Sequence, residues 1–345
     1  MKVIAVLVAL AVVFAGWLVR PRTLELESAR TGDTKLSAYI DQHYTGAGHR
    51  LEVAVIGDNS MTFAGRGANE HSQFEIGSVS KAITGLLLAD SVRRGEVQLD
   101  QQVGTLLPLG DAEVATATLE DLATHYSGLP RTSTRPQDVA RSLLVSLNAG
   151  NPYPYDVDDL IGQAKADAGG RGEPAYSNVG GALLGQALAR KADMSYSDLL
   201  SQRLLQPLEM QETRVPTNAE EAAPDGYSSG GRQEAPWIQD GYAPAGGIVS
   251  SAGDLALLLQ SRLRGIGVEA LAPKRDFDQG DRIGLFWLTS PLPGTERSMV
   301  WHNGGTGGYR SFVGLDLEKK RAVVVLSDVA VDVDEFATEL LAAQS

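Results

Sequence analysis

The chain has 345 residues, 43% of them apolar and 21% charged, the balance of an ordinary globular protein long enough for a substantial core. Its 30 lysines and arginines against 43 acids give a formal charge of −13, which argues against nucleic acid as a partner, since that requires a cationic face. With no cysteine, thiol catalysis, disulfides and thiolate metal sites are excluded; the five histidines lack a His-Glu-x-x-His spacing, so neither a metal nor another cofactor is expected.

Residues Val3 to Val19 form an uncharged apolar run between Met1-Lys2 and Arg20-Pro21-Arg22. At 1.5 Å per residue the run reaches roughly 26 Å, just short of a bilayer's hydrocarbon thickness. Ala9-Leu10-Ala11 comes too early for a cleavage site, so an uncleaved anchor is favoured over a removed signal peptide. Either way the expectation is export, to the periplasm or beyond, with membrane contact through this segment only. Pro21 to Asp33 reads as a polar tether, which makes 1–33 a leader outside the folded unit.

Leu36, Tyr39, Ile40 and His43 then share one helical face. Leu51 to Ile56 and Met61 to Gly65 predict strands around Gly57-Asp58-Asn59-Ser60, a hairpin turn by its residue types. From Ser78 to about Arg264 helical periodicity dominates, as in Ile83, Leu86, Leu87 and in Leu255, Leu258, Leu259. Strand signals return at Ile283 to Leu288, Met299 to His302, Arg310 to Asp316 and Ala322 to Leu326, and Asp334 to Ala343 reads as a closing helix. The expected fold class is α/β of the α+β kind. One antiparallel sheet is assembled from both termini, 34–75 and 265–345, with 76–264 a large helical insertion and the site at their interface.

Three segments carry candidate chemistry. Ser78-Val79-Ser80-Lys81 opens a helix, where positions three apart share a face, so a hydroxyl and an amine can meet beside free first-turn N–H groups. Read singly, Ser78 is equally a helix N-cap and Lys81 a solvated first-turn residue. Tyr176-Ser177-Asn178 precedes a helix starting near Val179, and alternate residues of extended backbone let Tyr176 and Asn178 face one site. The plainer alternative has Tyr176 in packing and Asn178 as the cap. To act as a base at neutral pH the phenol must fall by about three pKa units, roughly 4 kcal/mol, which a close cation such as Lys81 can supply. Finally, His302-Asn303-Gly304-Gly305-Thr306-Gly307-Gly308 lies between two strands. Its glycines either let backbone N–H groups approach a ligand, forming an oxyanion hole with the Ser78 amide, or simply make a flexible connection.

In order, spacing and flanking residues, the three segments resemble the family of class C β-lactamases, D-alanyl-D-alanine carboxypeptidases and family VIII esterases. The likeness runs from about residue 50 to 328. It includes Phe74-Glu75-Ile76-Gly77, residues 119–130 (LEDLATHYSGLP), Pro207-Leu208-Glu209-Met210, residues 245–255 (AGGIVSSAGDL) and the closing strand pair. It implies a β-lactamase/transpeptidase-like fold with Ser78 as nucleophile, Lys81 as its proton partner and Tyr176 as general base and acid. Asn178 would be a polar contact to substrate and Lys81. The amides of Ser78 and Gly305 would form the hole, with His302 and Gly304 beside the substrate. Class C enzymes usually have Lys-Thr-Gly where this chain has His302-Asn303-Gly304. A mostly neutral histidine attracts a carboxylate less than lysine does and looks more like the carboxypeptidases, D-aminopeptidases and esterases.

The expected function is thus hydrolysis, through an acyl-enzyme, of small esters or D-amino-acid-containing peptides, a cell-wall peptide among the candidates. A class C-type β-lactamase and a non-turnover penicillin-binding or cell-wall sensor protein stand as alternatives. Arg310 is either a partner for a substrate carboxylate or an exposed strand residue, and Thr132 is a candidate for the cleft wall. His125 reads as structural, and the loop Gly226 to Trp237 as the pocket rim.

Overall fold

The computed structural model describes residues 24–343 except 168, so the apolar run 3–19 lies outside the described residues. None of the described helices is long and apolar enough to cross a membrane. The strands are β1 (Arg30–Gly32), β2 (Leu51–Gly57), β3 (Met61–Arg66), β4 (Phe74–Glu75), β5 (Gly226–Tyr227), β6 (Gln233–Glu234), β7 (Val249–Ser250), β8 (Arg275–Asp276), β9 (Arg282–Ile283), β10 (Leu288–Pro291), β11 (Ser298–Gly305), β12 (Arg310–Asp316) and β13 (Arg321–Ser327).

The main sheet runs in the order β1-β3-β2-β13-β12-β11-β10-β9-β8, so strands from the two ends of the chain meet at its centre. There β13 pairs antiparallel with β2, from Arg321↔Gly57 to Ser327↔Leu51. The predicted turn between β2 and β3 closes with the Gly57 N–H donating to the Ser60 carbonyl at 2.8 Å. Side chains on β12 alternate between two cores. Val313 and Leu315 enter the larger core with the helical region, and Phe312 enters a smaller one beneath the helices Thr34–His43 and Asp334–Ala343. The helices Val79–Arg93 and Asn178–Lys191 are buried on almost every side, as central helices must be. The chain has the β-lactamase/transpeptidase-like fold, an antiparallel sheet with a helical region packed on it.

Several boundaries differ from expectation. Arg30–Gly32, expected within the tether, is an edge strand on β3, and Asp33 caps the next helix through the N–H groups of Lys35 and Leu36. The stretch Ile283 to Leu288 is not one strand. Gly284 to Trp287 forms a turn, with Phe286 at φ 64° and the Trp287 indole donating to the Ala82 carbonyl at 3.1 Å. Its apolar residues are there to fill the inter-layer core. Conversely, β11 runs on through Gly305, so half of the glycine segment is strand.

Glu52 on β2 is fully buried, and neither carboxyl oxygen has a hydrogen-bond partner. Burial, then the nearby Glu70, pushes its pKa up to about 8. A carboxyl raised in the folded state binds a proton that the unfolded chain has released, so it subtracts stability as pH rises from the ordinary carboxyl range through 8. Glu52→Gln is therefore expected to stabilise the fold above pH 8 by a few kcal/mol, on the order of 3, with the difference shrinking toward zero near pH 4. Denaturant unfolding of both proteins across this range measures it, and a pH-independent difference contradicts it.

Candidate active site

The site begins at a backbone bend. Gly77 has φ +47°, and a Cβ there would lie 2.5 Å from the Gly305 nitrogen, so only glycine lets the chain swing from β4 into the helix Val79–Arg93. Ser78 is the N-cap by position, yet its side chain makes no capping bond. Its Oγ lies instead 3.0 Å from Lys81 Nζ and 2.6 Å from the Tyr176 hydroxyl.

Lys81 is fully buried, and its amine also donates to the Ala245 carbonyl at 2.7 Å. Burial, followed by the charge of Arg131, holds its pKa well below the usual lysine range. The Tyr176 phenol moves the other way. Burial pushes it up to about 12, against smaller opposing pulls from Ser78 and Arg131. That corrects the expectation of a phenol brought toward neutrality by Lys81, because the same desolvation disfavours the ammonium that was to supply the charge. Burial thus favours the uncharged form of both the amine and the phenol, and both sit on one hydroxyl.

Tyr176 is fixed by His125, whose ring packs 4.6 Å away and whose Nδ1 accepts from the Ser177 N–H at 3.1 Å. His125 is buried, and burial drives its pKa well below the ordinary value, so it stays neutral. It packs against Tyr176 and makes none of the contacts on Ser78. Ser177, and not Asn178, caps the following helix, through the Gly180 N–H at 2.8 Å. Asn178 does not reach Lys81 as expected. Its amide donates to the Tyr153 hydroxyl at 2.9 Å, and Lys81 takes Ala245 as partner because that carbonyl packs directly over the buried amine.

β11 closes the opposite side. A Cβ on Gly304 would fall 2.0 Å from the Ile76 carbonyl, so the glycine lets β11 lie against the segment that leads into Ser78. Ser311 on β12 fastens the same carbonyl at 2.8 Å. The Thr306 N–H bonds to Tyr309 across the β12 ladder, and antiparallel alternation turns the Gly305 N–H the other way. It points past the end of β10, whose pairing with β11 stops at Trp301. Gly305 and Ser78 line the same two spaces.

His302 is almost completely buried, and burial, then Lys81, lowers its pKa to about 4. A carbonyl only accepts, so the 2.6 Å contact of Nδ1 with the Asn303 carbonyl places the ring proton on Nδ1 and leaves Nε2 an acceptor. Such a ring has no charge to offer a carboxylate. Arg310 lines the cleft but spends one nitrogen on the carbonyls of Thr306 and Tyr309, bracing the glycine turn.

Ser78, Tyr176, His302, Gly304 and Gly305 share a cleft of about 710 Å³, and a recess of about 110 Å³ joins it at Ser78, lined by Asn178, Tyr153 and Trp237. Thr132 is exposed and outside this lining; its neighbour Arg131 occupies both spaces. Sequence reasoning also missed Tyr153 and the Ala245 carbonyl. Residues 245–255 carried a signal only as a stretch of likeness, with no role attached. Trp237 of the expected rim loop is held by its N–H on the buried Glu75 carboxyl at 2.6 Å.

Comparison with known proteins gives the family and the fold. The model of the family described as Beta-lactamase matches residues 33–344. A β-lactamase of Escherichia coli (strain K12) is 27% identical over 303 residues, covering 75% of this chain and 76% of its own length. The D-alanyl-D-alanine-carboxypeptidase/endopeptidase AmpH of the same strain is 29% identical over 191 residues, 51% of this chain but only 48% of that protein. Among solved structures, a class C β-lactamase superposes with a TM-score of 0.74 at 19% identity, covering 90% of this chain and 94% of the other, a likeness of fold.

Proposed function

Because the chain belongs to the β-lactamase family, a family of serine hydrolases, we propose that it hydrolyses small esters or D-amino-acid-containing peptides through an acyl-enzyme on Ser78. One observation carries the reading: a single hydroxyl lies within hydrogen-bond reach of a buried amine and a buried phenol, in a cleft that Gly305 also lines. In the proposed cycle Ser78 Oγ attacks the carbonyl carbon and its proton passes to the Lys81 amine. The amides of Ser78 and Gly305 hold the oxyanion. As the C–O or C–N bond breaks, Tyr176 gives its proton to the departing alcohol or amine and recovers one from Lys81. Water then attacks the acyl carbon along the reverse proton path. The uncharged His302 favours esters without a carboxylate over β-lactams, whose carboxylate it attracts weakly.

The test is a time course of intact mass with p-nitrophenyl butyrate, a D-Ala-D-Ala peptide and benzylpenicillin. A transient adduct on Ser78 with turnover of ester or peptide is expected. An adduct that forms and never decays assigns the chain to the non-turnover class, and faster turnover of the penicillin than of the others assigns it to the β-lactamases.

Tyr176→Phe separates the acid role from the base role. Removing a proton donor hurts poor leaving groups most, so a loss of about 100-fold is expected on an alkyl ester, and less than about tenfold on a nitrophenyl ester. Equal losses on both exclude Tyr176 as the leaving-group acid.

A further inference from the structure

The helix Pro136–Leu147 turns its apolar side to water. Val139, Leu143, Leu144 and Leu147 are 54%, 65%, 62% and 69% exposed, and their spacing gathers them on one face. The other large exposed hydrophobics among the described residues, Ile266 and Leu317, stand singly elsewhere. Such a face on a monomer marks something that covers it.

Two observations indicate what that is. The first is charge. In a chain of net charge −13, this helix has one acid, Asp138, which is buried against Arg135 at 2.7 Å, while Arg131 just before the helix and Arg141 within it are exposed and, among the described residues, without an acidic partner in the ion pairs of this region. The second is position. The first described residues lie along His49, where the Glu27 N–H bonds to the His49 carbonyl, and the His49 ring packs on Tyr227 of β5. At the far side of the same short β5–β6 hairpin, Arg232 donates to the Leu147 carbonyl at the end of the exposed helix. The stem that follows the apolar run 3–19 and the exposed helix thus flank one hairpin.

We propose that the helix Pro136–Leu147 lies in the surface of a lipid bilayer, with its leucines among the acyl chains and its arginines at the headgroups. The inference rests on residues 3–19 as a membrane segment and is independent of the chemistry at Ser78. Arg131 precedes the helix and Tyr153 follows it, and both line the space at Ser78, so docking turns the mouth of the cleft toward the membrane.

The absence of cysteine makes the test direct. Leu143→Cys, Leu147→Cys and, as reference, Leu317→Cys are each labelled with a nitrobenzoxadiazole fluorophore. Leu317 lies at the end of β12 and β13 away from the hairpin. The full chain is placed in vesicles of phosphatidylethanolamine and phosphatidylglycerol, with far-ultraviolet circular dichroism and a thermal transition matching the parent's reporting that each variant is folded. Doxyl lipid is expected to quench the labels at 143 and 147 at least threefold more than the label at 317, and aqueous iodide to show the reverse order. Equal quenching at all three positions overturns the proposal. So does shielding of 143 and 147 from iodide without vesicles, which assigns the face to the chain's own N-terminal segment, or to a second copy if it depends on protein concentration.

Discussion

Ser78→Ala is expected to lower kcat/KM for any ester or peptide substrate by about 10⁴-fold and to abolish every covalent adduct, without harm to the fold. The size follows from the chemistry: with the nucleophile gone no acyl-enzyme forms, and only binding and the oxyanion hole remain to assist attack by water. That the fold survives follows from the geometry. The Ser78 hydroxyl caps nothing, and the helix it precedes is held by its buried faces. Steady-state kinetics with thermal unfolding on the same samples measures both. A variant that keeps more than about a tenth of the parent rate, while folded, removes Ser78 from the proposed mechanism.

Lys81→Met is the second large expectation, with losses of about 10³-fold or more in acylation, because a hydroxyl without a base is a poor nucleophile. Stability carries the opposite sign. An amine whose folded pKa is depressed binds fewer protons in the native state than in the unfolded chain, so the parent loses stability as pH falls below the ordinary lysine range. Methionine has no such proton and roughly the same shape. The variant is expected to match or exceed the parent in Tm at pH 7, with the gap widening toward lower pH until the native amine itself is protonated. The parent's kcat/KM should fall along the acid limb where Lys81 becomes charged. A variant less stable than its parent at every pH contradicts the depression of the Lys81 pKa by burial.

The strand pairing was legible because its signals are local: β-branched runs and turn residues around 57–60 and 317–320 mark hairpins wherever they occur. The break within 283–288 was not, since its apolar residues look like a strand until Trp287 is seen reaching the Ala82 carbonyl. Asn178 shows the same limit at the site. Its spacing from Tyr176 let both face one site, and the family resemblance implied a contact with Lys81, but Tyr153 and Ala245, remote in sequence, took those two places.

From the sequence alone came the residue types able to form one site, their order along the chain, and a sheet made from its two ends. Only the tertiary structure decided which way burial moves the pKa of each group in that site. Whether an amine or a phenol carries charge depends on how much water the surrounding segments exclude, and helices and carbonyls from distant parts of the chain set that exclusion.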